Sequence, residues 1–142
     1  MNLNIRLLSP EDYPRLYKLW TSTPGMGLNS VDDSPEGILR YLRRNPTSCF
    51  AAEAGDQIVG AILAGHDGRR GFLYHLAVAE PYRLQGLGRS LVRHALAALQ
   101  GQGIRKTALV AFRDNRPGNE FWKSLGFTLR EDLNYWNLPL DE

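Results

Sequence analysis

Hydrophobic and polar residues follow one another in patterns that divide the chain into short strands and amphipathic helices. Apolar residues at every second position predict strands, and apolar residues three or four positions apart predict helices. The predicted strands are Asn2–Leu8, Ser48–Ala54, Gln57–Ala64, Phe72–Ala79 and Lys106–Arg113, with one or two more within Phe127–Leu140. The predicted helices begin near Pro10, Pro35, Leu87 and Pro117. The element order β-α-α-β-β-β-α-β-α-β-β favours an α/β (α+β) fold with a mixed sheet and helices on both faces.

Two of the helix starts carry residues that cap helices. Ser9 precedes Pro10 and Ser34 precedes Pro35. A serine oxygen can accept a backbone N–H at the start of a helix, and proline suits the first helical position. We therefore expect both helices to begin at these serines.

Length and composition describe an ordinary globular chain. The 142 residues, which are 43% hydrophobic and 23% charged, predict a single domain over 1–142. Only one cysteine, Cys49, is present, so no internal disulfide can form and a reducing cytoplasm is the expected location. The net charge of +2 gives no reason to expect nucleic-acid binding, and no apolar run is long enough for a membrane span.

Metal binding is not expected. His66, His75, His94 and Cys49 lack the spacing typical of metal ligands.

The segment Arg83–Arg89 carries the most informative chemistry in the chain. Gly86 and Gly88 stand where a strand is followed by a helix. A helix N-terminus presents unpaired N–H groups, and glycines let the backbone approach an anion closely, so the segment could bind a pyrophosphate. Two glycines can also serve tight turn geometry alone. Neither the Walker motif nor the full dinucleotide fingerprint is present.

The run Leu76–Gly88 resembles motif A of the GNAT acetyltransferases, an apolar strand followed by Arg/Gln-x-x-Gly-x-Gly/Ala at the head of a helix. Asn115, Phe121-Trp122 and Gly126-Phe127 resemble the downstream motif of the same family. The turn His66–Gly71 is also similar to that of small bacterial members of the YpeA kind. The element order matches the fold of the family, so the resemblance covers nearly the whole chain.

The resemblance implies that the chain is an N-acetyltransferase with acetyl-CoA as its co-substrate. Main-chain groups of Leu76, Ala77 and Val78 would contact the pantetheine arm. The pyrophosphate would bind at the segment formed by Arg83, Leu84, Gln85, Gly86, Leu87, Gly88 and Arg89. Asn115 and Trp122 would lie near the arm and the thioester end, although Asn115 is equally suited to capping a helix.

The chain departs from the family pattern at the groups that move protons. Trp122 replaces the usual tyrosine acid, and Phe72 and Val110 stand where relatives carry a glutamate base. Tyr74 and His75 are the nearest titratable candidates. Strand alternation predicts that only one of them faces the cleft, and shared parity with Phe72 favours Tyr74. Without a strong base, the enzyme is expected to prefer amines of low pKa.

The acceptor is left open by the sequence. It is either a small amine or amino-acid-like metabolite or a protein N-terminus, and the acidic Asp32 and Asp33 could attract it. A non-catalytic acyl-CoA-binding or regulatory module is the alternative reading, because the usual acid and base are missing. A homodimer is compatible with the sequence.

Overall fold

The computed structural model describes residues 3–141, which form two compact units. One unit runs up to Val110 and the other begins at Ala111. The first contains the sheet and three helices. The second contains one helix.

The elements of the first unit follow the predicted order. Its strands are β1 (Asn4–Leu7), β2 (Phe50–Ala54), β3 (Gln57–His66), β4 (Gly71–Val78) and β5 (Thr107–Ala108). Its helices are α1 (Tyr13–Thr21), α2 (Pro35–Arg44) and α3 (Leu87–Gly101), with 3-10 turns at Pro10–Asp12 and Glu80–Tyr82. Asn2, which the predicted first strand includes, lies outside the described residues. The α/β class with a mixed sheet is confirmed.

Both predicted helix starts are present, with different capping chemistry. The Ser34 oxygen accepts the Gly37 N–H at 3.0 Å, as expected for a helix cap. At the other start the backbone N–H of Ser9 donates to the Asp12 carboxylate at 2.9 Å, and a 3-10 turn precedes α1.

The five strands lie side by side in the order β1-β2-β3-β4-β5. All neighbours are antiparallel except β4 and β5, whose pairing is parallel. Helices cover both faces, as two glycines of β3 show. A Cβ at Gly65 would lie 2.6 Å from the Tyr41 hydroxyl of α2, whereas a Cβ at Gly60 would lie 3.0 Å from Leu91 of α3. Glycine lets both helices approach the sheet closely.

The face beneath α1 and α2 is filled by a buried apolar cluster. It includes Leu16 and Trp20 of α1, Ile38 of α2, and Ala61 and Leu63 of β3. On the opposite face, the predicted apolar stripe of α3 is buried at Leu91, Ala95 and Leu99. Burial of each leucine or isoleucine side chain stabilises a fold by about 1.5–3 kcal/mol.

An ion-pair network joins β1, α1 and β2 at the far edge of the sheet. The buried carboxylate of Asp12 accepts hydrogen bonds from Arg6 at 2.8 Å and from Arg15 at 2.6 Å. Both arginines also pair with Glu53 at 2.9 Å. Since each buried oxygen of Asp12 has a partner, the charge is compensated.

The second unit differs from its prediction. It contains α4 (Arg116–Ser124), close to the predicted helix, but residues 111–141 form no strand. The expected strand Lys106–Arg113 is reduced to Thr107–Ala108. In the predicted strand region Phe127–Leu140, Arg130 and Asp132 form a local two-bond ion pair at 2.8 Å beside a bend, which suits a turn better than an extended strand.

Candidate functional site

Strand β4 contains one extra residue relative to β3. Leu63 lies opposite Tyr74 and Ala61 lies opposite Ala77, so two steps along β3 match three steps along β4. The extra residue is accommodated at His75, whose φ of 50° places it in the left-handed region. This is a β-bulge, and bulges bend a strand and redirect its side chains.

The bulge changes which backbone groups point away from β3. Before it, the Gly71 N–H donates to the Lys106 carbonyl beside β5 at 2.9 Å. After it, the Ala79 N–H donates to the Val59 carbonyl of β3 at 2.8 Å. Because alternate residues of an antiparallel strand face the same neighbour, Ala77 also faces β3. The N–H and C=O groups of Leu76 and Val78 therefore point to the other edge.

That edge is open beside Leu76 and Val78. The parallel ladder between β4 and β5 ends where Phe72 lies opposite Ala108. Among residues 3–110 no other strand lies along this edge. An extended ligand could hydrogen-bond there as an additional strand would.

The segment 83–89 leads from this edge into α3. Gly86 caps the helix with φ 82°, and Leu84 has φ 62°. The Gly86 carbonyl accepts the first helical bond, from the Ser90 N–H at 3.0 Å. The three N–H groups between Gly86 and Ser90, those of Leu87, Gly88 and Arg89, have no partner within the helix because they lie in its first turn. The turn therefore presents several donors and the positive end of the helix dipole.

Arg83 connects the segment to the strand. Its Nε donates to the Val78 carbonyl at 2.8 Å. Leu87 is buried, and a Cβ on Gly60 of β3 would lie only 3.2 Å from its side chain. Both contacts hold the start of α3 next to the open edge of β4.

Tyr74 and His75 lie on the same face of β4, so the expectation from strand alternation is wrong. The Tyr74 ring packs against Tyr41 of α2 at 5.9 Å between centroids, and the His75 ring packs against Trp20 of α1 at 5.0 Å. The two rings lie 6.3 Å apart. The bulge between Tyr74 and Leu76 breaks the alternation on which the expectation rested.

Asp33 is buried, and Asp32 is exposed. The Asp33 Oδ1 atom lies 2.8 Å from Nε2 of His75, and Oδ2 accepts the Asn29 N–H at 2.7 Å. Burial raises the pKa of Asp33, but the hydrogen bonds from His75 and Asn29 outweigh it and lower the pKa overall. A separation of 42 residues leaves no sequence signal for the Asp33–His75 pair.

The second unit holds the remaining predicted residues. Asn115 is the N-cap of α4, and its Oδ1 accepts the Gly118 N–H at 3.1 Å. The Trp122 ring packs against Phe121 and Phe127, with centroids 5.1 and 5.2 Å away. The capping alternative for Asn115 is therefore present in the structure.

Two other features are absent from the described part of the chain. Within residues 3–141, no three His, Cys, Asp or Glu side chains are grouped so that they could hold a metal ion. No helix in that range is both long and apolar enough to cross a membrane.

The fold has a bulged fourth strand beside a glycine-capped helix. A family model shows to which class of proteins a chain with this fold belongs. The family model described as "Acetyltransferase (GNAT) family" matches residues 13–127. The chain belongs to the GNAT family and is an N-acetyltransferase with acetyl-CoA as its co-substrate.

Relatives of similar length carry the same description. "Acetyltransferase SG1711" of Sodalis glossinidius is 27% identical over 131 residues, which cover 92% of this chain and 91% of the relative. "Acetyltransferase plu1384" of Photorhabdus laumondii is 30% identical over 113 residues, covering 80% and 78%.

Solved structures agree on the fold. The PaiA N-acetyltransferase of Thermoplasma acidophilum, in complex with coenzyme A, superposes with a TM-score of 0.80 at 22% identity, covering 92% of both chains. Ard1 of Thermoplasma volcanium has a TM-score of 0.80 at 23% identity, covering 92% of this chain and 85% of that one.

Proposed function

We propose that this enzyme transfers the acetyl group of acetyl-CoA to a primary amine by direct attack of the nitrogen on the thioester. The observation that carries the proposal is the open edge of β4 at Leu76 and Val78, which adjoins the first turn of α3. An acyl-CoA has an extended amide-containing arm and a pyrophosphate, and these two features offer a partner for each part. We further propose that residues 1–142 act as a single catalytic domain in the cytoplasm.

The coenzyme is assigned to backbone groups rather than to side chains. The pantetheine amides would pair with Leu76 and Val78, beside Ala77, as an added strand would. The pyrophosphate would accept hydrogen bonds from the turn that leads into α3, whose two arginines add positive charge. This turn consists of Arg83, Leu84, Gln85, Gly86, Leu87, Gly88 and Arg89. Charge-assisted bonds of this kind are roughly twice as strong as neutral ones.

In the chemical step the amine nitrogen forms a bond to the thioester carbon, and the carbon–sulfur bond then breaks. The intermediate carries negative charge on the former carbonyl oxygen. The Leu76 N–H, directed to the open edge, is the donor we assign to that oxygen. One such donor typically contributes about 3–4 kcal/mol to a transition state. The amine loses a proton, and the coenzyme thiolate gains one.

We assign the proton transfers to the face that Tyr74 and His75 share. Both groups titrate, whereas the indole of Trp122 cannot release a proton at useful pH. Tyr74→Phe is expected to lower kcat at least ten-fold while leaving coenzyme affinity unchanged. A kcat within two-fold of wild type would remove Tyr74 from the chemistry.

The acceptor is proposed to be an amine of low pKa. An α-amino group with a pKa near ~8 is substantially neutral in the cytoplasm, whereas a lysine with a pKa of ~10.4 is neutral roughly one time in a thousand. The difference corresponds to about 3 kcal/mol. Amino-acid-like metabolites and protein N-termini both satisfy this condition, and the exposed Asp32 is a candidate for attracting the cation.

An acceptor panel tests the proposal directly. Release of the coenzyme thiol is followed with acetyl-CoA and a series of primary amines that differ in pKa but match in size. We expect kcat/KM at pH 7 to fall as amine pKa rises. Equal rates for lysine side chains and α-amines would contradict the preference.

A non-catalytic acyl-CoA-binding module is the alternative function, and the same assay separates it from catalysis. It predicts coenzyme binding by calorimetry without thiol release for any amine or peptide. Turnover above the uncatalysed rate for one acceptor excludes it.

A further inference from the structure

The Asp33–His75 pair is the most specific polar contact near the bulge. It connects the loop between α1 and α2 to β4, and both partners are largely shielded from water. The His75 side chain keeps 16% of its surface exposed, and the Asp33 side chain keeps 7%. The imidazole is therefore anchored through Nε2, and part of the side-chain surface stays accessible to solvent.

The hydrogen bond fixes which imidazole nitrogen carries the proton. A carboxylate only accepts hydrogen bonds, so Nε2 of His75 must donate to Oδ1 of Asp33. Asp33 is held in the charged form by this bond and by the Asn29 N–H. In a neutral imidazole with Nε2 protonated, Nδ1 has a free lone pair. The pair thus prepares Nδ1 to accept a proton.

His75 directly precedes Leu76, whose N–H is the donor that we assign to the oxyanion. His75 is the bulge residue, and the next residue, Leu76, directs its N–H to the open edge of β4. The positive φ of His75 is unfavourable for a non-glycine residue. The contacts of its imidazole with Asp33 and Trp20 fix the side chain at this bulge.

We propose that Nδ1 of His75 is the general base that takes the proton from the attacking amine, and that Asp33 is a positioning residue that orients the ring. The inference rests on the proposed acetyl transfer and deepens it. As the nitrogen–carbon bond forms, the proton on nitrogen moves to Nδ1, and the imidazolium charge is balanced by Asp33. The proton then passes to the departing thiolate or to water.

The titratable groups recorded around the ring come from three places. The loop before α2 contributes Asp33, and β4 itself contributes Tyr74 beside His75. Helix α1 contributes Trp20, which does not titrate, and Tyr13, whose hydroxyl donates to the Asp33 carbonyl at 2.5 Å. Among these groups, Asp33 is the charged one that contacts the imidazole.

A measurement without turnover tests the tautomer. Long-range proton–nitrogen NMR correlations of wild-type protein at neutral to alkaline pH should show His75 with Nε2 protonated and Nδ1 bare. His66 and His94 serve as internal references, and His75→Gln assigns the signal by its loss. A His75 ring protonated on Nδ1 under those conditions would overturn the inference.

Kinetics test the role in catalysis. His75→Gln keeps an amide donor for Asp33 but removes the base, and it should lower kcat by about 10²–10⁴-fold. The acidic limb of the wild-type kcat profile should disappear, while calorimetric affinity for coenzyme A stays within two-fold. His94→Gln, the same change at an exposed histidine, should leave kcat within two-fold. Asp33→Asn should lower kcat at unchanged coenzyme affinity.

The outcomes separate this inference from the proposed function. A His75→Gln variant with wild-type kcat and an intact acidic limb contradicts the base assignment, even though acetyl transfer stands. Absence of wild-type turnover with every amine contradicts acetyl transfer itself and removes the base with it. Equal kcat losses in His75→Gln and His94→Gln would mean that the effect is not specific to His75, and would also overturn the inference.

Discussion

The two halves of β4 differ in how the sheet uses their backbone. From Gly71 to Tyr74 the strand runs alongside β3, and its first two residues also pair with β5. From Leu76 to Val78 it pairs with β3 alone among the strands of residues 3–110. The same strand therefore supports the sheet in its first half, whereas in its second half the outward groups of Leu76 and Val78 have no strand partner among residues 3–110 and the Val78 carbonyl accepts a hydrogen bond from Arg83 Nε.

A single extra residue produces this difference. Before the bulge at His75, the backbone N–H and C=O groups of Gly71 and Leu73 point away from β3. After the bulge, those of Leu76 and Val78 do. It also brings Tyr74 and His75 onto one face, which a regular strand would not do. The proposed binding edge and the proposed proton acceptor thus arise from one local irregularity.

The largest expected effect concerns the part of the sheet that is fully paired, at the edge away from the open half of β4. The ion-pair network of Asp12 and Glu53 with Arg6 and Arg15 stabilises this edge. Asp12→Ala removes one of the two carboxylates that pair with Arg6 and Arg15, and should lower the free energy of unfolding by about 3 kcal/mol. Coenzyme affinity of the folded protein should not change. Chemical denaturation followed by calorimetry measures both quantities.

Asp132→Ala is the matched control for that variant. Its ion pair with Arg130 is exposed, with 50% and 66% of the two side-chain surfaces accessible, so its loss should leave the free energy of unfolding almost unchanged. Equal destabilisation by the two variants would show that burial does not set the strength of the network.

Acid should weaken the same ion-pair network, and with it the stability of the fold. Burial raises the pKa of Asp12, but hydrogen bonds from Arg6 and the Ser9 amide outweigh it and lower the pKa to about 2. Because the folded-state pKa lies below the ordinary 3.8, this stabilisation is complete above about pH 5 and is lost as the pH falls towards 2. It amounts to roughly 2 kcal/mol, and Asp12→Ala should flatten the fall of Tm between pH 5 and 2. A fall as steep as that of wild type would contradict this explanation.

The open half is tested by Arg83→Met. The variant removes both the bond to the Val78 carbonyl and a positive charge at the proposed pyrophosphate site. We expect coenzyme A to bind about 10- to 100-fold more weakly, with little change in stability. Arg69→Met, at an exposed arginine before the paired half, should leave the affinity unchanged. Equal affinities for the two variants would remove Arg83 from the site.

A glycine pair gives a smaller and more local test. Gly86 and Gly68 have φ of 82° and 95°, and a Cβ at either would meet no atom within 4 Å. Alanine should therefore destabilise both by about 1 kcal/mol through backbone strain. Only Gly86→Ala should weaken coenzyme binding, because Gly68 belongs to the turn before β4. Isothermal titration of both variants decides this, and equal weakening would count against the assignment.

The smallest effect is expected at Leu84. This exposed leucine has φ 62°, a conformation that asparagine tolerates better. Leu84→Asn should stabilise the protein by about 0.5 kcal/mol, whereas Leu84→Ala keeps the strain and should not. A thermal melt that ranks alanine above asparagine would contradict the explanation from strain.

The sequence predicted the sheet class, the first nine elements and the glycine turn at the start of α3 because these depend on local patterns. Proline and serine mark the helix starts at Pro10 and Pro35, and glycine marks the start of α3. The bulge could not be predicted, since the residues from Phe72 to Ala79 read as an uninterrupted apolar strand. The partnership of Asp33 with His75 depends on tertiary packing, and no spacing rule reports it. The final strands were predicted from apolar residues between 127 and 140, but the structure forms no strand in that segment.

Amide hydrogen exchange with and without coenzyme A tests most directly whether the second half of β4 and the turn after it bind the coenzyme. We predict slower exchange at Leu76, Val78 and residues 84–89 on addition of millimolar coenzyme A, with Gly71–Tyr74 unchanged. Unaltered exchange at Leu76 and Val78 under saturating coenzyme would contradict the assignment of the open edge.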